Sequence, residues 1–314
     1  HLLQSLHHPS CTTYVGSTTS HRGLGTRPAK NWVLRPRTRV ASEYDTLTIT
    51  NGSTHEMNEP RFDLAPLAST FTGQIITPTS AGYDEARHLW NGMIDRRPAV
   101  IARCLSEGDV AAAIRYAQQN GLEIAVRGGG HNAAGLATCD GGLVVDLSRM
   151  RGVAVDTAAH VVAVQGGATW GDVDKATHAH GLATTGGAVS TTGVAGLTLG
   201  AGIGWLMRSH GLAIDNLVSA RVVTARGEVL EVSDSENPEL FWALRGGGGN
   251  FGVVTEFRFQ LHAVTNIRGG MLVHPFERAR DVLTFYATTT RDLPDDITVF
   301  AALLTTPDGH RVAA

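Results

Sequence analysis

The stretch Arg127-Gly128-Gly129-Gly130-His131-Asn132 is the most informative part of this chain. A strand is predicted at Glu123 to Val126 directly before it, so a turn of three glycines separates the end of this strand from His131. Glycine has no Cβ atom, and backbone N–H groups in such a turn can therefore approach a flat or phosphorylated ligand closely. Two interpretations are open at this point. The turn only joins two elements and His131 is a structural histidine, or the turn holds a ligand that His131 faces.

The distribution of glycine favours a ligand site. The chain has 37 glycines in 314 residues, without the strict period of a collagen. They cluster in three regions, residues 128–142, 166–211 and 246–252. Clusters of this kind indicate a site lined by backbone rather than general flexibility.

Length and charge limit the class of protein. A chain of 314 residues predicts about two domains. The net charge is −3 and Lys and Arg form no stripe, so no nucleic-acid partner is expected. No apolar run reaches the roughly 18 residues of a membrane span, so no membrane partner is expected either. No signal segment opens the chain, which favours the cytoplasm, but the chain does not begin with Met and its location stays open.

The cysteines and paired histidines do not predict a metal site. Cys11, Cys104 and Cys139 are odd in number and widely spaced, and we expect buried thiols rather than a disulfide framework. His178 and His180 lie two residues apart on a predicted helix, where helical zinc ligands prefer a spacing of four. They are predicted to be surface residues.

The pattern of apolar residues predicts an α+β fold. Residues 1–60 lack sustained periodicity and are predicted to be disordered or non-native, and 61–97 are predicted to be a helical lead-in. Helices are predicted at Asp84 to Arg96, after an N-cap at Ser106, after Thr169 with Asp172 completing a capping box, and from Pro238 to Leu244 after an N-cap at Asn237. Strands are predicted at Val100 to Arg103, Leu143 to Leu147, Val153 to Val155 and Val161 to Val164, in a hairpin of Leu217 to Thr224 with Glu228 to Val232, and at Val253 to Leu261 with one solvated face. Beyond residue 265 a helix at Phe276 to Thr289 and a strand at Thr298 to Thr305 begin a second domain.

Two segments match a dinucleotide fingerprint only superficially. They are Gly128-x-Gly130-x-x-Ala133 and Gly247-x-Gly249-x-x-Gly252. A nicotinamide-binding Rossmann domain needs a strand, the glycine turn and then a helix. The first match is followed by the turn Cys139-Asp140-Gly141-Gly142 before a helix of useful length, and the second has its helix before the glycines. The Rossmann interpretation is therefore disfavoured.

Six segments, taken in order, resemble one family. They are Arg127 to Asn132, Gly141-Gly-Leu-Val-Val-Asp146-Leu, Val164-Gln-Gly-Gly-Ala-Thr-Trp170, Gly193-Val-Ala-Gly-Leu-Thr-Leu-Gly200-Ala-Gly-Ile-Gly204-Trp-Leu-Met-Arg208, Gly211-Leu-Ala-Ile-Asp215-Asn216 and Asn237-Pro-Glu-Leu-Phe-Trp-Ala-Leu-Arg245-Gly-Gly-Gly-Gly-Asn250-Phe-Gly-Val-Val254. The chain resembles the FAD-linked oxidases with a PCMH-type, vanillyl-alcohol-oxidase-like flavin domain, in the berberine-bridge-enzyme-like branch. The resemblance implies a two-subdomain FAD-binding domain over residues 98–264 and the start of an α+β substrate domain over 265–314, truncated at the C-terminus.

The resemblance also implies how the flavin is held. It implies His131 as the residue joined covalently to the 8α-methyl carbon of FAD. Relatives that add a second link use a cysteine, and in ungapped register Val189 occupies that position. No cysteine follows Cys139, so a single link is expected, as in relatives resembling 6-hydroxy-D-nicotine oxidase. The FAD-binding residues implied are Arg127, Gly128, Gly129, Gly130, His131, Asn132, Gly193, Val194, Gly196, Leu197, Gly200, Gly202, Gly204, Asp215, Asn216, Val253 and Val254.

The implied reaction is hydride transfer from a C–H bond of a small-molecule alcohol, amine or sugar to the flavin, with O₂ as the acceptor. The catalytic base of the family is expected beyond Ala314, so no catalytic residue is assigned here. The alternative is a flavin-binding fragment that is catalytically inert. The identity of the substrate and the oligomeric state cannot be predicted from the residues.

Overall fold

The computed structural model describes residues 62–264 and 266–314. The disorder predicted for residues 1–60, and the burial predicted for Cys11, lie outside these residues. Within them, the chain has the α+β character that the sequence predicts. No helix in residues 62–264 or 266–314 is both long and apolar enough to cross a membrane.

The elements are short, as expected for a chain with so many glycines. The strands are β1 Gln74–Ile76, β2 Val100–Arg103, β3 Ile124–Arg127, β4 Leu143–Asp146, β5 Val153–Asp156, β6 Val161–Gln165, β7 Leu182–Ala183, β8 Leu217–Val223, β9 Val229–Ser233, β10 Val253–Gln260, β11 His262–Ala263, β12 His274–Pro275, β13 Leu303–Thr305 and β14 Arg311–Ala313. The α-helices are α1 Ala65–Ala68, α2 Tyr83–Arg87, α3 Glu107–Gln119, α4 Trp170–His178, α5 Val194–Leu199, α6 Met207–His210, α7 Pro238–Leu244 and α8 Ala279–Thr289. Turns of 3-10 helix span Ala213–Asn216, Gly248–Phe251 and Phe276–Arg278.

The first sheet carries the glycine turn at one edge. Its order is β1-β2-β4-β3, with β2, β4 and β3 parallel and β1 antiparallel. Helix α3 covers the sheet and buries Val110 and Ala113 against Leu143 and Val145. The predicted cap of α3 is confirmed, because the Oγ of Ser106 accepts a hydrogen bond from the third residue of the helix. Strand β3 ends at Arg127, so the Gly128–His131 turn leaves the sheet at a defined point.

The second sheet is antiparallel, in the order β5-β6-β10-β8-β9. It includes the predicted hairpin of β8 and β9 and is packed on one side by α4. The capping box of α4 is confirmed, with Thr169 and Asp172 bonded reciprocally. The alternation predicted for β10 is confirmed from Glu256 to Gln260, where Phe257 and Phe259 are buried and the residues on the other face are partly or fully exposed. It does not extend to Val253 and Val254, which are both buried because each packs into a different hydrophobic cluster of the core.

The predicted helix from Asp84 to Arg96 is wrong beyond its first turns. Helix α2 ends at Arg87, and the next residue is extended. The backbone N–H of Trp90 donates instead to the carbonyl oxygen of Gly130, and the amide oxygen of Asn91 accepts from the N–H of Met93. An asparagine side chain that bonds nearby backbone competes with helix formation. The apolar residues that looked like a helical stripe therefore lie in an irregular segment next to the glycine turn.

Three smaller expectations also need correction. Asn237 precedes α7 as predicted, but it is left-handed and its side chain bonds the carbonyl oxygen of Glu231 rather than the helix. The last helix begins at Ala279, after the 3-10 turn Phe276–Arg278. The last predicted strand is shortened to Leu303–Thr305.

The described residues divide into two compact units. One consists of residues 62–264, 266–272 and 283–301, and the other of Val273–Val282 and Ala302–Ala314. The second unit holds a three-stranded antiparallel sheet in the order β12-β14-β13. The domain boundaries predicted at residues 98, 264 and 265 stay predictions.

Candidate functional site

The glycine turn lies directly against the start of α5. A Cβ atom placed on Gly129 would lie 2.4 Å from the backbone nitrogen of Gly193, and one on Gly193 would lie 2.4 Å from the backbone nitrogen of Gly129. Real Cβ atoms do not approach other heavy atoms so closely, so neither position has room for a side chain. Two glycine segments that are 64 residues apart in the sequence are thus joined backbone to backbone.

The same contact extends into the second sheet. A Cβ atom on Gly128 would lie 3.0 Å from the carbonyl oxygen of Gly166, and one on Gly166 would lie 2.3 Å from that of Val254. The N–H of Val194 donates to the carbonyl oxygen of Ala168 at 2.9 Å. Five of the residues predicted to form the site are therefore joined by backbone contacts: Gly128, Gly129, Gly193, Val194 and Val254. Val253, the neighbour of Val254, is buried with it.

Arg127 fixes the base of the turn. Its guanidinium donates to the carboxylate of Asp146 at 2.5 Å and to the carbonyl oxygen of Ala86. Both side chains are buried, and Arg103 also contacts Asp146, at 3.1 Å. Burial alone raises the pKa of Asp146, but the hydrogen bond and charge of Arg127 hold that pKa below its ordinary value. The Asp146 carboxylate is thus an anion at neutral pH.

His131 follows the turn as a half-buried side chain. Burial lowers the pKa of His131, and contact with the backbone of Thr191 partly opposes that shift. A neutral imidazole at pH 7 keeps a lone pair on one ring nitrogen. That nitrogen can act as a nucleophile or accept a proton.

Trp90 lies beside His131, and sequence analysis missed it. The two rings are stacked, with centroids 5.3 Å apart and planes inclined by 18°. The sequence spacing placed Trp90 on a helical face instead. No local pattern could have indicated the contact, because its two residues are 41 positions apart and the helix does not form.

The predicted glycines in α5 and in the segment after it fall into two kinds. A Cβ atom on Gly204 would lie 1.6 Å from the carbonyl oxygen of Gly186, and one on Gly202 would meet the side chains of Ala213 and Leu197. These glycines are required by packing within the protein. Gly196 differs, since a Cβ atom there would have no neighbour within 4 Å.

Gly200 resembles Gly196, because a Cβ atom there would meet only ordinary contacts at 3.5 Å or more. Both glycines are exposed. They are the positions in this region where the protein itself gives no reason for glycine.

Asp215 and Asn216 have local partners. The carboxylate of Asp215 accepts from the N–H of Leu212 at 2.8 Å. The amide nitrogen of Asn216 donates to the carbonyl oxygens of His210 and Leu212, and its amide oxygen lies 2.6 Å from the Nε2 of His262. No contact recorded in residues 62–264 or 266–314 joins either residue to His131.

Asn132 is exposed, and its side chain bonds the backbone of its own loop. Its side-chain oxygen accepts from the N–H of Leu136 at 3.2 Å. Its proximity to the site comes from the adjacent His131 alone.

Several buried polar atoms have no partner within the described residues. They are Nε1 of Trp170 and the hydroxyl oxygens of Thr138, Thr184, Thr185 and Thr198. A buried polar group without a hydrogen bond costs about 1–3 kcal/mol, so such atoms mark places where a bound polar group is needed. Two of these residues lie beside the glycine segments, because the ring of Trp170 lies against Gly186 and Thr198 lies in α5. Thr198 lies between the open glycines Gly196 and Gly200, and an unpartnered hydroxyl at such a place fits a polar cofactor such as FAD.

The histidines and cysteines outside the glycine turn lie as follows. His178 and His180 are exposed, as predicted. Within residues 62–264 and 266–314, no group of three or more His, Cys, Asp or Glu could hold a metal ion. Cys104 and Cys139 are buried and free, and burial raises the pKa of the Cys139 thiol to about 11. Val189 is exposed.

Comparisons with known proteins agree on one group. Residues 98–233 match the family model described as an FAD binding domain. The chain is 50% identical over 190 residues to (R)-6-hydroxynicotine oxidase of Paenarthrobacter nicotinovorans, covering 60% of this chain and 42% of that protein. The crystal structure of 6-hydroxy-D-nicotine oxidase from Arthrobacter nicotinovorans superimposes with a TM-score of 0.75 at 40% identity, over 79% of this chain and 55% of that one.

A third similar protein has a flavin whose covalent linkage is named. Glucooligosaccharide oxidase from Acremonium strictum superimposes with a TM-score of 0.65 at 30% identity, over 79% of this chain and 53% of that one, and is described as containing 6-S-cysteinyl, 8α-N1-histidyl FAD. The chain spans about half the length of the relatives it matches. Residues 98–233 thus form an FAD binding domain, and the chain is similar to FAD-linked oxidoreductases over the part that it shares with them.

Proposed function

We propose that this chain is the flavin-binding part of an FAD-dependent oxidase. The substrate class is a small molecule that offers a C–H bond next to oxygen or nitrogen, an alcohol, amine or sugar, and O₂ is the acceptor. The observation that supports the proposal is the backbone contact between Gly129 and Gly193, which brings the turn before His131 against the start of α5. When bound, FAD supplies the redox chemistry by accepting a hydride and passing two electrons to O₂.

The residues of the chain hold and orient the cofactor. We propose that the backbone of Gly128–Gly130, and of the segment from Gly193 to Gly204, lies against the pyrophosphate and ribityl groups. Arg127 fixes the start of the turn through Asp146. Val253 and Val254 are buried at the start of β10, and we propose that their backbone lies near the flavin, while Asp215 and Asn216 shape the loop that follows α6.

His131 is proposed as the attachment residue. Its imidazole forms one bond to the 8α carbon of the flavin. The lowered pKa of His131 leaves the imidazole neutral, with a lone pair free at pH 7. A covalent tether removes the entropy cost of holding a free cofactor.

A single link is proposed rather than two. The chain has no cysteine after Cys139. Val189, at the position where relatives with two links carry a cysteine, offers no nucleophile. A double attachment such as the one named for the Acremonium strictum enzyme therefore has no second residue here.

A flavin-binding chain without turnover of its own is the second candidate. No residue described above is assigned the role of catalytic base.

Reconstitution with FAD tests the proposal. The purified chain is mixed with FAD, precipitated with acid, and the pellet is examined for yellow colour, while peroxide formation is measured with alcohols, amines and sugars. Colour in the pellet with peroxide in solution supports the oxidase. Colour without peroxide supports the second candidate. A chain that binds no FAD contradicts both.

A further inference from the structure

We propose that Trp90 is the positioning residue for His131, and that its indole ring holds the imidazole in the orientation in which it joins the flavin. The inference rests on the proposed attachment through His131 and deepens it. It concerns a residue that lies outside all six glycine segments. It is carried by the geometry of the two rings.

The two rings lie nearly parallel. Their centroids are 5.3 Å apart and their planes are inclined by 18°. Offset stacking at this distance is a favourable arrangement for aromatic rings. The ring of Trp90 therefore limits the rotation of the imidazole about its two side-chain bonds.

Hydrogen bonds join Trp90 and its neighbour Asn91 to the loop that contains His131. Its own N–H donates to the carbonyl oxygen of Gly130 at 3.2 Å. The next residue, Asn91, donates from its side-chain nitrogen to the carbonyl oxygen of Ala133 at 2.9 Å. The two acceptors flank His131 in the sequence, so hydrogen bonds on both sides of the histidine join its loop to the segment that carries Trp90.

His131 has no other side chain from its own turn to hold its ring. The three residues before it are glycines, and Asn132 is exposed and bonded to Leu136. The glycines are needed because the backbone must lie against Gly193. A turn built this way offers no side chain to restrain its histidine, so the restraint comes from other segments, namely the backbone of Thr191 and the ring of Trp90.

The burial of Trp90 argues against a role in the core. Its side chain is 67% exposed, whereas Trp170, the first residue of α4, is fully buried. An exposed indole contributes little to stability through burial. The contact that the indole makes is its stacking on the half-buried ring of His131.

The attachment step depends on the direction of the ring. The new C–N bond replaces one C–H bond of the flavin methyl group and one N–H bond of the imidazole. Two protons and two electrons leave, and O₂ takes them to form H₂O₂. The attacking lone pair lies in the plane of the imidazole, so rotation of that plane moves it away from the methyl carbon.

The test compares Trp90→Ala and Trp90→Phe with Met93→Ala. Met93 is in the same irregular segment and is 91% exposed, which makes it the matched control. Apoprotein is mixed with FAD, and the fraction attached is followed by acid precipitation at set times. Non-covalent affinity is measured separately in a His131→Ala background. The resonance of the Cε1 proton of His131 in the apoprotein reports the stacking without any flavin.

We expect attachment by the Trp90→Ala variant to slow about tenfold. Its non-covalent affinity for FAD should stay within about twofold, and Trp90→Phe should restore most of the rate because a phenyl ring also stacks. The His131 proton should move downfield in Trp90→Ala only, and Met93→Ala should match the wild type.

Three results would overturn the inference, and they are distinguishable. Wild-type rates in Trp90→Ala would show that the ring is not needed. An equal loss of non-covalent affinity would show a structural role instead. If wild-type protein binds FAD but forms no covalent bond to it, the attachment through His131 and the role of Trp90 are both wrong. If wild-type protein binds no FAD at all, the proposed function itself is wrong.

Discussion

Gly129 and Gly193 exclude each other's side chains, since a Cβ atom on either would lie 2.4 Å from the backbone nitrogen of the other. This contact joins the turn after β3 to the start of α5. It depends on glycine at both positions and not on any polar group. It is also the contact that places His131 at the proposed flavin site.

Gly129→Ala should therefore destabilise the chain itself. The added methyl group overlaps backbone, which cannot rotate away, so we expect a loss of about 3 kcal/mol in the free energy of unfolding. Urea unfolding of the apoprotein measures it. Gly92→Ala is the control, because a Cβ atom there has no neighbour within 4 Å. Equal stability of the two variants would mean that the turn and α5 are not in contact.

Gly196→Ala should separate folding from cofactor binding. The position is open in the protein, so the apoprotein should unfold at or above the wild-type urea concentration, because alanine favours a helix over glycine by about 1 kcal/mol. If the open space is filled by FAD, the affinity should fall about tenfold or more.

Titration of the apoprotein with FAD measures the Gly196→Ala effect. Gly108→Ala, a comparable change within α3, serves as the control. Unchanged affinity in Gly196→Ala would place the cofactor elsewhere.

Asp146→Asn should disrupt the base of the turn. The change leaves Arg127 buried without its counter-charge, and breaking a buried ion pair in this way costs about 3–5 kcal/mol. Glu228→Gln, in an exposed pair with Arg226, should change the free energy of unfolding by less than about 1 kcal/mol. A similar loss in both variants would contradict the importance of the buried pair.

The contribution of Asp146 should also depend on pH in one direction. Its pKa is lowered in the folded chain, so the stabilisation is present above the unfolded pKa of about 3.9 and is lost as pH falls through the folded value. The gap in unfolding free energy between wild type and Asp146→Asn should be constant near neutral pH and shrink in acid. A gap that widens as the pH falls would contradict a lowered pKa for Asp146 in the folded chain.

The rate of flavin attachment should follow the protonation of His131. The pKa of His131 is lowered, so the neutral, nucleophilic form predominates at pH 7. The rate should be level at pH 7 and above, and it should fall only once the pH is below about 6.5, the ordinary value for histidine. Non-covalent binding in His131→Ala, measured at each pH, corrects for changes in affinity. A rate that falls between pH 8 and pH 7 would contradict a neutral imidazole.

The elements that could be predicted from the sequence are those with local signals. Ser106 and the Thr169–Asp172 capping box place the starts of α3 and α4 because each cap bonds within its own turn. The hairpin of β8 and β9 is set by the short turn that joins its strands. The strand before the glycine turn was also predicted, ending within one residue of its observed end.

The features that could not be predicted depend on distant partners. Residues after Arg87 have helical spacing, but their backbone bonds the loop near Gly130. Asn216 meets His262 at a separation of 46 residues, and no pattern in either segment indicates this contact. The order of the glycine segments indicates a flavin domain by resemblance, yet that order could not show that Gly129 lies against Gly193.

Peptide mapping of the reconstituted chain tests the central claim most directly. Wild-type protein is incubated with FAD, denatured, digested and analysed by mass spectrometry, with His131→Ala treated in parallel. We predict one modified peptide, the one that contains His131, heavier by a single flavin group, and none in the variant. Flavin on another residue, or a wild-type chain that releases all of its FAD on denaturation, would contradict the account.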